Sequence, residues 1–190
     1  MEKEKNIVYY HSRQEWRSWL NDHFESEVEV WFTFPTVSSK EIGVSYNDAV
    51  EEALCFGWID GVAGTLDKTH QLRRFTPRRK GSPYSQLNIE RLNYLYKEGL
   101  IHPKLIESVK EIISVPFVFP RDIIKALQKD EVVWNNYQNF TDSYKRIRVA
   151  YIDAARKRKK EFKKRLKNFI DKTRENIIIT GYGGSDKYYK

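Results

Sequence analysis

Ser45-Tyr46-Asn47-Asp48-Ala49-Val50-Glu51-Glu52-Ala53-Leu54-Cys55-Phe56-Gly57-Trp58-Ile59-Asp60-Gly61 carries a helix start, a helix stop and a strand entry in a single run. Ser45 and Asp48 form a capping signal, in which the hydroxyl accepts from a backbone N–H of the first turn. Tyr46, Ala49, Val50, Ala53 and Leu54 then recur at helical spacing and form one apolar stripe. Gly57 is the predicted stop. Trp58-Ile59-Asp60-Gly61-Val62-Ala63-Gly64 follows as an extended segment.

Working outward, Glu27-Val28-Glu29-Val30-Trp31-Phe32-Thr33-Phe34 alternates charged with apolar residues and ends at Pro35, the pattern of a half-buried strand. Gln71-Leu72-Arg73-Arg74-Phe75-Thr76 is a third extended run. The reading predicts a small antiparallel sheet from roughly residues 28–34, 58–64 and 70–76. Ser12-Arg13-Gln14-Glu15 is a capping box for a helix bearing Trp16, Trp19 and Leu20 and ending near Asn21–His23.

The second half reads as helical. Ser85 caps a helix with Ile89, Leu92, Leu95 and Tyr96, ended by Gly99. Leu105, Ile106, Val109, Ile112 and Ile113 form another stripe, Val115–Pro120 an extended connector, and Ile123, Ile124 and Leu127 a short helix. From Asp142 onward, Ile147, Tyr151, Ala155, Phe162, Leu166 and Phe169 recur at helical spacing, as one long helix or two nearly continuous ones. The fold class is thus α+β, a sheet packed on helices with an all-helical C-terminal half. Residues 1–116 are the α+β region, 117–174 the helical region and 175–190 a mobile tail, expected to make one compact unit.

Composition agrees with a globular chain. Its 190 residues are 40% hydrophobic, with 12 Tyr, 10 Phe and 5 Trp to build the core. Cys55 is the single cysteine, so no intramolecular disulfide is possible, and its apolar neighbours predict a buried, inert thiol. No window reaches the ~18 apolar residues of a membrane span. Met1-Glu2-Lys3-Glu4-Lys5 leads into no long apolar run, so no signal peptide is predicted and a cytoplasmic location is expected.

The net charge of +8 is unevenly spread. Residues 1–60 hold 5 Lys/Arg against 12 Asp/Glu, residues 61–81 hold 6 against 1, and residues 145–174 hold 14 against 3. An acidic start is followed by two basic patches.

Ala53-Leu54-Cys55-Phe56-Gly57-Trp58-Ile59-Asp60-Gly61 resembles the central motif of the YdeI/OmpD-associated family, also called bacteriocin-protection proteins. Arg74-Phe75-Thr76-Pro77-Arg78-Arg79 resembles the family's Thr-Pro-Arg segment, and Ser82–Asn88 its Ser-x-Trp-Ser-x-x-Asn, with Tyr84 in place of Trp. The resemblance continues through Gly99–Pro103, Val118–Asp122 and Phe140–Ser143, spanning about residues 8 to 172. Where the family often carries Glu-Thr-Arg, this chain has Lys157-Arg158-Lys159-Lys160-Glu161-Phe162. The resemblance implies protection against bacteriocins or envelope stress and association with an outer-membrane porin. It carries over no catalytic residue.

Three candidate sites come from the residues themselves. Arg73, Arg74, Arg78, Arg79 and Lys80 precede Ser82, Ser85 and Asn88 at a helix start. Guanidinium groups beside a helix N-terminus suit a phosphate or carboxylate, and the alternative is a solvated basic loop. Trp58 and Asp60 lie between glycines, and Asp60 is either an ion-pair partner for Arg74 or Arg78 across the hairpin or a ligand-binding or general-base carboxylate. Arg156, Lys157, Lys160, Lys163 and Lys164 form a basic helix face for nucleic-acid phosphates, or a solvated one. The histidines lack metal spacing, no nucleophile–base pattern or nucleotide loop appears, and no cofactor is expected. The reading favoured by these residues is a non-enzymatic protection protein that binds an anionic ligand or protein partner at residues 73–88. Its rivals are an enzyme acting on a small anionic substrate and a nucleic-acid-binding protein.

Overall fold

The computed structural model describes residues 5–189; the charged start Met1–Glu4 and the last tail residue, Lys190, lie outside them. The chain divides into two compact units, one of residues up to Pro83 with Leu95–Glu111, the other of Tyr84–Tyr94 with the residues from Ile112 onward.

The first unit is built on a four-stranded sheet in the order β1-β2-β4-β3. Its strands are β1 (Ile7–Val8), β2 (Val30–Pro35), β3 (Trp58–Thr65) and β4 (His70–Pro77). The three expected strands are present and antiparallel to their neighbours, with Val30 opposite Phe75 and Asp60 also opposite Phe75 from the other side. The sheet is nevertheless mixed, because β1 pairs with β2 in parallel. A parallel pair needs a crossover, and α1 (Arg13–His23) supplies it. Two residues are too short a run for a period-2 pattern to be visible, so the sequence carried no sign of β1.

Why this unit holds together follows from its aromatics. Trp16 is fully buried on α1, meets Phe32 edge-on at 5.0 Å between centroids and donates its indole N–H to the Ala49 carbonyl at 3.0 Å. That bond reaches α2 (Tyr46–Cys55), whose Ala49, Val50, Ala53 and Leu54 are buried as the stripe required, whereas its first member, Tyr46, is exposed. Ser12 accepts from the Glu15 N–H as its capping box demands, while the Glu15 carboxylate accepts from the N–H of His11 rather than of Ser12. Gly57 stops α2 at φ 72°, the left-handed region, where a Cβ would also stand 3.3 Å from Leu105.

The second unit is helical. It contains α5 (Arg121–Leu127), α6 (Glu131–Asn139), α7 (Asp142–Asp153) and α8 (Lys159–Arg174); α3 (Gln86–Lys97) and α4 (Ile106–Ser114) each have residues in both units. Ile123, Leu127, Val133, Tyr137, Tyr144, Val149, Ile152 and Phe169 make its core. The stripe from Asp142 belongs to two helices, since the chain turns between Asp153 and Arg158 without a Gly or Pro to mark the place. Helix α6 was not foreseen; Val132, Val133, Asn135 and Asn136 are all mediocre helix formers. Asp130 caps it by accepting from the Val133 N–H at 3.1 Å, and burial of Val133 and Tyr137 supplies what propensity lacks.

Helix α8 ends in a Schellman motif. Asn176 adopts φ 55°, its N–H donates to the Thr173 carbonyl at 3.0 Å, and the N–H of Ile177 donates to Lys172 at 2.9 Å. The chain that follows is anchored in this unit. The Ile179 N–H donates to the Tyr144 hydroxyl at 2.9 Å, and Ser185 and Tyr188 are buried. Among the described residues no helix is long and apolar enough to cross a membrane.

Candidate functional site

The residues singled out in the sequence are mostly occupied with the fold. Trp58 is 1% exposed, and its indole N–H donates to the Phe24 carbonyl at 3.0 Å, which makes it a core residue. Asp60 accepts from the Tyr46 hydroxyl at 2.6 Å. The expected ion pair with Arg74 does not form, because Glu29 on the approach to β2 takes that guanidinium, Nε to Oε2 at 2.8 Å. Arg73 bonds the Gly61 carbonyl at 3.2 Å and lies over the Tyr46 ring. Arg78 donates to the carbonyls of Ser82 and Pro83, closing the turn on itself. Arg79 and Lys80 are exposed. In the second unit, Ser85 accepts from the Asn88 N–H at 3.3 Å as a helix cap, and the Asn88 side chain accepts from Arg91 at 2.8 Å. Of the cations expected to make an anion site at residues 73–88, Arg73, Arg74 and Arg78 thus donate to protein oxygens, while Arg79 and Lys80 remain exposed.

Cys55 is buried, as its neighbours predicted, and burial pushes its thiol up to about 12. Beside it lies an ion network the sequence did not disclose. Glu51 and Glu52 are 1% and 2% exposed on α2; Arg13 binds Asp48, Glu51 and Glu52, and Arg17 binds Glu52 and the Leu100 carbonyl. Every charge here has a partner, so the network is read as a clamp between α1 and α2.

A different arrangement occurs in the second unit. Arg148, Tyr151 and Ile152 share one face of α7, and Glu161, Lys164, Arg165, Asn168 and Phe169 share one face of α8, both at i, i+3, i+4 spacing. Those faces and the segment Ile179–Tyr182 line a pocket of about 380 Å³. This lies toward the lower end of the roughly 300–1,000 Å³ of small-molecule sites.

The cations of the pocket differ in how they are satisfied. Arg165 stacks on the Tyr151 ring at 3.7 Å, and donates to Glu161 at 2.7 Å and to the Tyr151 carbonyl at 2.7 Å. The same contact holds the Glu161 carboxyl below its ordinary value. Lys164 is exposed at the rim. Arg148 is 5% exposed, yet among the described residues it has neither a carboxylate partner nor a hydrogen bond; its guanidinium stands 5.2 Å from the centroid of the Tyr151 ring and near enough to the Tyr144 phenol to act on it electrostatically. None of the Arg148 nitrogens is among the fully enclosed, unpartnered polar atoms, so the guanidinium edge is open to the pocket, where water or an anion can reach it. Three cations against Glu161 leave the lining electropositive.

The electrostatics of α8 add to this. Lys159, Lys160, Lys163 and Lys164 crowd its N-terminal half, where the helix dipole is already positive, and Arg158 provides no side-chain cap. Of the basic face proposed from the sequence, Arg156 is neutralised by Asp122 at 2.9 Å and Asp153 at 2.6 Å, whereas Lys157, Lys160, Lys163 and Lys164 are exposed. Arg148 itself went unnoticed. The available signal was its position, four residues after Tyr144 and four before Ile152, on the buried side of α7.

Two family models match the chain. Residues 8–108 match a domain of unknown function, DUF8412. Residues 116–176 match the family described as Bacteriocin-protection, YdeI or OmpD-Associated. The run Ala53–Gly61, taken from the sequence as the mark of the latter family, thus falls within the former match, and the family's own match lies in the helical part. No curated protein and no solved structure matches. The chain belongs to the DUF8412 family, whose model covers more than half its length, and the segment that holds α7 and α8 is similar to the bacteriocin-protection, YdeI or OmpD-associated family.

Proposed function

We propose that this protein is a non-enzymatic binding protein that holds a small anionic ligand in the α7–α8 pocket, in the service of a stress response or of the bacteriocin protection named by the family that residues 116–176 match. The observation that carries the reading is Arg148, a buried cation facing a pocket with no protein anion to balance it. An interior polar group without a protein partner calls for an explanation, and an anion in the pocket would supply one. The anion-binding role inferred from the sequence is retained, but moved from residues 73–88, where Arg74 and Arg78 are engaged.

Thermal unfolding in the presence of phosphate, sulfate, acetate and benzoate tests this. An anion at ten times its Kd should raise Tm by roughly 3–6 °C, and Arg148→Met should abolish the shift while Arg79→Ala leaves it intact. A panel that leaves wild-type Tm unmoved would refute the proposal.

A second reading has one observation in its favour, the exposed Lys160, Lys163 and Lys164 of α8, which form no ion pair among the described residues. It is a non-specific phosphate-backbone contact with nucleic acid, and requires affinity that falls steeply with salt. Binding that ignores salt would remove it.

A further inference from the structure

We infer that the ligand of the α7–α8 pocket is an organic monocarboxylate with a compact apolar or aromatic body, rather than an inorganic oxyanion or a phosphate ester. The inference rests on the anion-binding reading and adds three observations to it.

The first is charge. Arg165 is balanced by Glu161 and fixed by the Tyr151 carbonyl, and Lys164 remains at the exposed rim. One buried positive charge, that of Arg148, is left to be neutralised. A monoanion balances it. A phosphate dianion would carry a second charge into the interior with no second buried cation, and that excess is costly in a medium of low dielectric. The second is shape. A guanidinium presents two parallel N–H donors in a plane, which matches the two oxygens of a carboxylate. No run of backbone N–H groups points to a phosphate cradle here, since the nearest candidate, the Gly181 N–H, is taken by the Asp186 carboxylate at 3.1 Å.

The third is the rest of the lining. Ile152 and Phe169 are 2% and 1% exposed and close the pocket floor, with Ile179 beside them. Tyr151 and Tyr182 stand 4.4 Å apart between ring centroids at 55°. Tyr182 is itself 36% exposed, so a ligand body placed against it would remove apolar surface from water. An inorganic anion cannot use these walls. A carboxylate carrying a ring or a short chain uses both the buried cation and the apolar floor.

The test is calorimetric titration of the full chain in Tris chloride with acetate, hexanoate, benzoate, inorganic phosphate and sulfate. Hexanoate and benzoate should bind at least ~10-fold more tightly than acetate, through the added apolar contact, and more tightly than phosphate or sulfate by a similar factor. Arg148→Lys, which keeps the charge and loses the fork, should weaken benzoate ~10-fold. Tyr182→Ala should weaken benzoate but leave acetate unchanged. Phosphate binding as tightly as benzoate, and lost in Arg148→Lys, would overturn the carboxylate class while leaving the anion pocket standing. No binding by any of the five would overturn both. Benzoate binding indifferent to both substitutions would place the ligand elsewhere and overturn the site. The order of wild-type affinities decides the ligand class even where a variant fails to fold.

Discussion

Single residues show where a sequence discloses chemistry and where it hides it. Trp58 and Asp60 are candidates in the sequence because they lie between glycines, yet Trp58 is core and Asp60 is held by Tyr46. Arg148 did not stand out, because one cation on a helix with basic neighbours resembles a solvated side chain. Burial is decided by what α8 and the returning chain cover, and no local pattern encodes that. Arg148→Met should unfold later in urea than wild type when no ligand is present, by about 1–3 kcal/mol, since it removes a buried charge without a carboxylate partner. A destabilised variant would give Arg148 a structural role instead. The opposite sign is expected for Glu52, whose carboxylate balances two arginines. Glu52→Ala should lower stability by about 2–3 kcal/mol in the same assay, the upper range for buried pairs being reduced because Arg13 and Arg17 are partly exposed.

Elements were legible where capping and periodicity agreed. Ser12, Ser45 and Ser85 each accept the predicted N–H, and the hairpin of β3 with β4 pairs with β2 as the alternation required. The stripe from Asp142 forms two helices, one of the two alternatives it allowed, and the misses share a cause: β1 is too short to show a period and α6 has weak propensity. In each, tertiary packing outweighs the local signal. Gly57 is the test of the helix-to-strand switch. Gly57→Ala must place a side chain at φ 72° against Leu105, and should cost about 1–2 kcal/mol in denaturant melts. The helices of the second unit also carry a pH signature. Asp122 is held low by Arg156, Asp130 by the Val133 N–H and then Arg174, Glu161 by Arg165 and Asp171 by Lys167. Their folded values lie below the unfolded ones, so the stability they contribute is present above the ordinary carboxylate range. It is lost as pH falls through the depressed values. Acid titration followed by near-ultraviolet dichroism should show tertiary signal in this unit lost below about pH 4; a transition centred near neutrality would contradict that assignment.

At the scale of the molecule, two family models match one chain, with matches that end at residue 108 and resume at 116. The compact units do not follow that division throughout, because Tyr84–Tyr94 lies within the first match but belongs to the helical unit. The acidic first 60 residues and the basic residues 145–174 were visible in composition alone. Composition could not say which charges are spent. In the first unit Arg13, Arg17 and Arg74 bind carboxylates, and in the second Arg156 and Arg165 do so, while Arg148 does not. The account therefore stands on that one guanidinium. Its Nε–H resonance, followed by nitrogen-15 NMR during a benzoate titration, is the most direct measure. A saturable shift at Arg148, with Arg74 and Arg79 unmoved, is the expected result; an unmoved Arg148, or a shift confined to the 73–88 loop, would contradict it.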